Sequence, residues 1–167
     1  DLHAMNDRID LGEGFRDVIY AEAEANPQWR NEIRDWYENW IQLAAPPIDH
    51  SVRLLRALKS AGVPVFSLTN FGVESYEYAQ SHYEFLGEFD RDYVSGRMQV
   101  IKPSPRIYEM LEQDSGVAPE RLLFADDRAD NIAMAASRGW QTYLFENPQG
   151  WANRLVGAGL LSAEQAQ

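Results

Sequence analysis

The sequence predicts an α/β fold: a Rossmann-like parallel sheet with helices on both faces, preceded by a smaller helical segment. Three observations point there. Short apolar runs at Val63–Leu68, Leu122–Ala125 and Gln141–Phe145 are bounded by Gly, Pro, Asn or Asp and read as buried strands. The stretches between them carry apolar residues at helical spacing, and strand–helix units repeated in this way form parallel sheets. The texture also changes at Ala45–Pro46–Pro47, where a tryptophan-rich helical region gives way to the alternating one. The expected organisation is residues 1–46 as the helical part and 47–167 as the α/β body.

Taken in order, Asp10–Gly14 (DLGEG) reads as a turn, after which Phe15, Val18, Ile19 and Ala23 fall at helical spacing. Asn26 is a candidate N-cap with Pro27 at the first helical position. Trp29, Ile33, Trp36, Trp40 and Leu43 then follow as one face of a long amphipathic helix. A tryptophan stripe can stack on a sugar or a base, but core packing between helices is the expectation here. Asp49 or Ser51 can cap a helix carrying Leu54, Leu55, Leu58 and Ala61, which Gly62 closes. Thr69 and Asn70 stand at the exit of the first strand, and Phe71–Gly72 turns into a second helix. Tyr93–Ser95 is a short strand. Pro103 keeps Lys102 out of the helical region, and Ser104 and Pro105 open a helix with Ile107, Tyr108 and Leu111 facing inward. Asp126 and Asp127 end the central strand, and Asn131 begins a helical pattern (Ile132, Ala135, Ala136) that stops at Gly139.

Composition narrows the function classes. With 167 residues the chain can bury a sizeable core, and 45% hydrophobic with 25% charged residues describes an ordinary globular protein. The net charge of −11 disfavours nucleic acid and anionic membrane as partners, since both require a positive surface. No apolar run approaches the roughly 20 residues of a membrane span. The absence of cysteine excludes disulfides and thiolate sites, and makes a cytoplasmic location the simplest expectation. The chain starts at Asp1 in polar, non-repetitive sequence, which suits the remainder of a longer protein.

The chemistry concentrates at strand exits. Thr69–Asn70, Lys102, and Asp126–Asp127 with Asn131 each follow a predicted strand, and a parallel sheet gathers such exits along one edge. Singly, each has an ordinary role: a strand-ending turn, a solvated loop lysine, a helix cap beside a spare acid. Together they suit a phosphate held by a hydroxyl, an amide and an ammonium, next to a hard cation held by carboxylates. Adjacent carboxylates beside a buried strand need such compensation, because they repel and lose hydration.

LTN at 68–70, IKPSPRIY at 101–108 and LLFADDRADNIAMAASRGW at 122–140 resemble the second, third and fourth motifs of the haloacid dehalogenase superfamily. The resemblance is strongest to its phosphatases with a small helical cap, sugar-phosphate phosphatases among them, and covers roughly Pro47–Phe145. It implies a haloacid dehalogenase-like core lacking its first strand, with residues 1–46 as most of a cap over the active site. It implies that Thr69, with Asn70, binds the transferring phosphoryl group, that Lys102 steadies it, and that Asp127 ligates Mg2+ with Asp126 and Asn131 in support. The family's first motif, an Asp-x-Asp carrying the nucleophile and the general acid–base, is not among these residues; IDLGEG at 9–14 has no buried strand before it.

The resulting expectation is a magnesium-dependent phosphomonoesterase acting on a small phosphate ester through an aspartyl-phosphate, with its nucleophile upstream of this chain. Two alternatives stand beside it. A 2-haloacid dehalogenase of the same superfamily is metal-free and lacks the paired acids seen here. The other is a catalytically inactive domain, or a phosphoacceptor-type one, which would place its acids early and its Thr and Lys late, the reverse of Thr69, Lys102, Asp126.

Overall fold

A computed structural model describes residues 2–167. In chain order the helices are α1 (Leu2–Asp10), α2 (Phe15–Ala25), α3 (Arg30–Glu38), α4 (Trp40–Leu43), α5 (Asp49–Ser60), α6 (Val73–His82), α7 (Ser95–Met98), α8 (Pro105–Ser115), α9 (Ala129–Ser137) and α10 (Pro148–Gly157). The strands are β1 (Phe66–Thr69), β2 (Arg91–Val94), β3 (Leu123–Asp126) and β4 (Gln141–Leu144). They form two pairs, β1 with β2 and β3 with β4, the second parallel with Leu123 opposite Gln141 and Asp126 opposite Leu144. The mixed, helix-rich α/β architecture with parallel strands is the one the alternating pattern predicts.

The chain forms two compact units. The first comprises the residues up to Pro47 together with Ser67–Ile101. Its core joins Phe15, Val18 and Ile19 of α2, positions the sequence spacing turns inward, to Met5 and Ile9 of α1, which the sequence reading did not place. Trp36 and Trp40 pack edge-to-face on Phe15, with ring centroids 6.1 and 5.6 Å away. The long tryptophan helix is, however, broken. Pro27–Trp29 is a 3₁₀ turn, and Asn39 separates α3 from α4. Asn39 Nδ2 donates to the Asp35 carbonyl at 3.2 Å, the local side-chain bond by which asparagine competes with helix propagation. Trp29 falls off the stripe and is 59% exposed, because a 3₁₀ turn advances three residues per turn and shifts the phase. Asn26 precedes that turn without capping it; its amide turns back to Glu22.

Three segments of this first unit meet too closely for any side chain. A Cβ on Gly12, whose φ is +104°, would lie 2.6 Å from the Gly96 carbonyl oxygen, and one on Gly72 would lie 2.5 Å from Ile9 Cγ2. Fully buried Ser95, just after β2, ties the same segments: its Oγ accepts from the Phe71 amide at 2.8 Å and donates to the Asp10 carbonyl at 2.7 Å. The Phe71–Gly72 turn that follows Thr69 and Asn70 is thereby fastened to the end of α1. Beneath it, Asp92 Oδ1 accepts from Ser67 Oγ at 2.8 Å and from the Tyr76 hydroxyl at 3.0 Å. Burial, reinforced by Asp92, pushes the Tyr76 phenol up to about 12.

The second unit comprises Ile48–Phe66 and Lys102–Gln167. Leu54 and Leu58 of α5 bury against Ala152 and Leu155 of α10 and Leu161, each leucine worth ~2 kcal/mol of apolar burial. Ile48, not Asp49 or Ser51, occupies the N-cap of α5; Asp49 is its first residue, where a carboxylate faces the positive end of the helix dipole. The apolar run from Val63 becomes β-structure only at Phe66, while Val63 and Val65 pack into this core. The extension past Phe145 into α10 goes beyond the sequence expectation, although Asn147 caps it by accepting the Gly150 amide at 2.8 Å and Pro148 begins it.

On α8, Ile107, Tyr108 and Leu111 are buried, as their spacing predicts. The helix is tied to the far end of α9 by Glu112, which accepts from Arg138 Nε and Nη2 at 2.8 and 2.6 Å and from the Trp140 indole at 2.7 Å. Arg138 holds the Glu112 carboxyl below its usual range, with Trp140 assisting and burial opposing. Some turns stand in open space: a Cβ on Gly87, in the first unit, or on Gly157, in the second, would meet nothing within 4 Å.

Candidate active site

Strand β3 ends in Asp126, whose side chain is only 6% exposed. A carboxylate this deep requires donors on both oxygens, and it has them. Lys102 Nζ lies 2.6 Å from Oδ2. The Arg128 amide and Asn131 Nδ2 both donate to Oδ1 at 2.9 Å. The Arg128 bond closes a short side-chain-to-backbone turn that redirects the chain from strand to helix and brings Asn131, 2% exposed on α9, under the carboxylate.

Lys102 is not a solvated loop lysine. Its side chain is 8% exposed, and its ammonium lies 5.4 Å from the centre of the Phe124 ring. The strand, the loop after Ile101 and the start of α9 therefore bring three of the sequence-chosen residues, Lys102, Asp126 and Asn131, into one hydrogen-bonded group. Asp127 follows Asp126 and is exposed. The predicted conflict between neighbouring carboxylates is resolved by pointing one at a lysine and leaving the other to solvent.

Thr69 and Asn70 stand in the first unit. Thr69 is the last residue of β1, and Asn70 precedes the Phe71–Gly72 turn; both are partly buried. Asn70 lines a cavity of about 180 Å3 together with the polar Asn6, Asp10 and Ser75 and the apolar Phe15 and Trp40. This wall combines the sequence-chosen Asn70 with residues that sequence reasoning assigned to no site. The polar positions on α1, Asn6 and Asp10, are spaced four apart and share one helix face, which is the signal that could have marked them.

Among the described residues, no three acidic or histidine side chains cluster as a self-contained metal cage. Magnesium does not require one. It binds through one or two carboxylates and completes its octahedron with water and phosphoryl oxygens. The exposed Asp127 carboxylate fits that demand, and so does Asn131 Oδ1, a buried oxygen with no hydrogen-bond partner. Asp126, consumed by Lys102, is left to support its neighbour.

A family profile, haloacid dehalogenase-like hydrolase, matches residues 3–139. D-ribitol-5-phosphate phosphatase from Bacteroides thetaiotaomicron is 31% identical over 107 residues, 62% of this chain and 52% of that protein. An (S)-2-haloacid dehalogenase from Pseudomonas sp. (strain YL) is 31% identical over 155 residues, 90% of this chain and 62% of that one. Among solved structures, a haloacid dehalogenase family enzyme from Bacteroides thetaiotaomicron, in complex with magnesium and inorganic phosphate, superposes with a TM-score of 0.53. That match, at 24% identity, covers 60% of this chain and 52% of the other and speaks for the fold alone. The chain spans about half the length of the first of these relatives. With the profile running from α1 to the end of α9, through β1, the Lys102 loop and the paired acids, this chain belongs to the haloacid dehalogenase-like hydrolases.

Proposed function

We propose that the protein is a magnesium-dependent phosphomonoesterase that acts on a small, hydroxylated phosphate ester. The observation that carries this reading is the division of labour between Asp126 and Asp127: one carboxylate is neutralised by buried Lys102, and the other is left exposed for a hard cation. A metal-free dehalogenase has no use for the second acid. The B. thetaiotaomicron relative that is a D-ribitol-5-phosphate phosphatase supports the same choice.

In this reading Lys102 faces the phosphoryl oxygens while Asp126 fixes its ammonium in place, and Thr69 Oγ and Asn70 Nδ2 donate to other phosphoryl oxygens. Asp127, with Asn131 in support, holds the magnesium ion, which when bound neutralises phosphoryl charge and orients the group for in-line attack. The attacking carboxylate, expected from the family's Asp-x-Asp motif, would displace the ester oxygen, which leaves as an alcohol with a proton from the motif's second Asp; water, giving a proton back to that Asp, would then release phosphate. The substrate class follows from the cavity beside Asn70. A lining that combines aromatic rings with Asn6, Asp10 and Ser75 suits a carbon chain with several hydroxyls, a sugar or polyol phosphate. Residues 1–46 act as the cap that selects it.

The test is phosphate release from a panel of esters by the full-length protein, with magnesium and with excess chelator, alongside halide release from a 2-haloacid. Magnesium-dependent phosphate release that disappears in Asp127→Asn supports the reading. Halide release, or turnover unaffected by chelator, overturns it in favour of the dehalogenase.

A further inference from the structure

The group around Asp126 does not end at Lys102 and Asn131. Tyr108 on α8 is fully buried, and its ring packs edge-to-face on Phe124 and Trp140, with centroids 6.0 and 5.4 Å away. Its hydroxyl donates to the backbone carbonyl of Asn131 at 3.1 Å. We propose that Tyr108 is a positioning residue for the Lys102–Asp126 pair, acting through Asn131; the proposal rests on reading that pair as part of the phosphoryl-transfer site.

A buried hydroxyl needs an acceptor, so the bond alone could be mere satisfaction. Two features make it more. First, Asn131 is the residue whose amide holds Asp126, and that amide is fixed at one end only: Nδ2 donates to Asp126 Oδ1, while Oδ1 has no partner. A side chain anchored by a single bond takes its position from its own backbone, and the backbone of Asn131 is what Tyr108 grips. A helix carbonyl already serving its own amide keeps a second lone pair, so this grip costs α9 nothing. Second, Phe124 is shared. Its ring meets Tyr108 on one side and the Lys102 ammonium at 5.4 Å, so Tyr108 bears on both members of the pair.

Tyr108→Phe keeps the ring and removes the grip. In the full-length protein, kcat for a phosphate ester is expected to fall on the order of tenfold, with KM changed less than about twofold, because the lost alignment matters at the reacting group. A second readout needs no turnover. The Arg128 amide, which Asp126 Oδ1 holds at 2.9 Å, should exchange with solvent on the order of tenfold faster, while amides along α8 keep their rates. Glu112→Gln is the structural control, since it loosens the other α8–α9 tie, at Arg138 and Trp140, and should lower the melting temperature without lowering kcat. Unchanged kcat and unchanged Arg128 exchange in Tyr108→Phe overturn the proposal. So does a loss of kcat in Glu112→Gln equal to that in Tyr108→Phe, which would reduce both residues to general stability. If the native protein releases phosphate from no ester, the functional reading fails, and Arg128 exchange still decides whether Tyr108 positions Asp126.

Discussion

Lys102 and Asp126 illustrate how a buried ion pair behaves when one member is lost. Removing one charge leaves the other desolvated, whereas replacing both by neutral partners is close to neutral. Lys102→Met should therefore lower stability in urea unfolding by roughly 3–5 kcal/mol and, on the proposed phosphatase reading, abolish turnover of the full-length protein. Lys102→Met with Asp126→Asn should recover most of that stability and none of the turnover, because the Asn carbonyl still accepts from Arg128 and Asn131. If the double variant is no more stable than the single one, the pair does not behave as a desolvated unit. These residues were legible in the sequence because lysine and aspartate at strand exits are chemically conspicuous. Which of the two adjacent acids faces the ammonium was not, since they look alike until one is seen against it. Tyr108 was legible only as an inward-facing residue; the carbonyl its hydroxyl reaches, 23 residues further on, follows from folding alone.

Helices α8 and α9 carry a pH dependence of their own. Arg138 depresses the Glu112 carboxyl in the folded protein, so this group adds stability above its ordinary carboxylate range and loses it as pH falls through the folded value. The melting temperature of the native protein should decline as pH falls through the acid range. Glu112→Gln, at a cost of ~2 kcal/mol near neutrality, should decline less steeply; parallel curves would show that the Glu112 tie is not the titrating element. In the first unit, Gly12→Ala should cost about 1–3 kcal/mol by thermal unfolding, because its φ of +104° is strained for any side chain and the new Cβ would press on the Gly96 carbonyl. Sequence reading found these elements and missed their interruptions. Periodicity shows that Trp29, Trp36 and Trp40 recur at helical steps, but not that Asn39 bonds back to Asp35 and splits the helix. The N-cap of α5 was misplaced for a related reason: capping residues are favoured at helix ends, but the chain can turn at an apolar residue such as Ile48 and use the nearby acid against the dipole instead.

Across the whole molecule, the alternation of strands and helices was enough to reveal the α/β class, because each run is set by local patterning. The composition of each unit depends on contacts distant in sequence, which no window can see. Ser95 and Gly72 bind β1 and its loop to α1, so the chain up to Pro47 and Ser67–Ile101 share a fate. A variant lacking residues 1–47 should therefore become protease-sensitive throughout Ser67–Ile101, as limited proteolysis would reveal; protection of that segment would mean it folds without the helical part.

The open space around Gly87 and Gly157 offers a way to watch the two units in solution. Neither glycine has a left-handed backbone, and the chain contains no cysteine. A single cysteine at each position would thus be accommodated without strain and would react alone with a nitroxide label. Pulsed electron resonance between the two labels would give a distance distribution from one unit to the other. A change in it when magnesium and a phosphate mimic are added would show that the two units move relative to one another on binding, as a ruler reading independent of turnover.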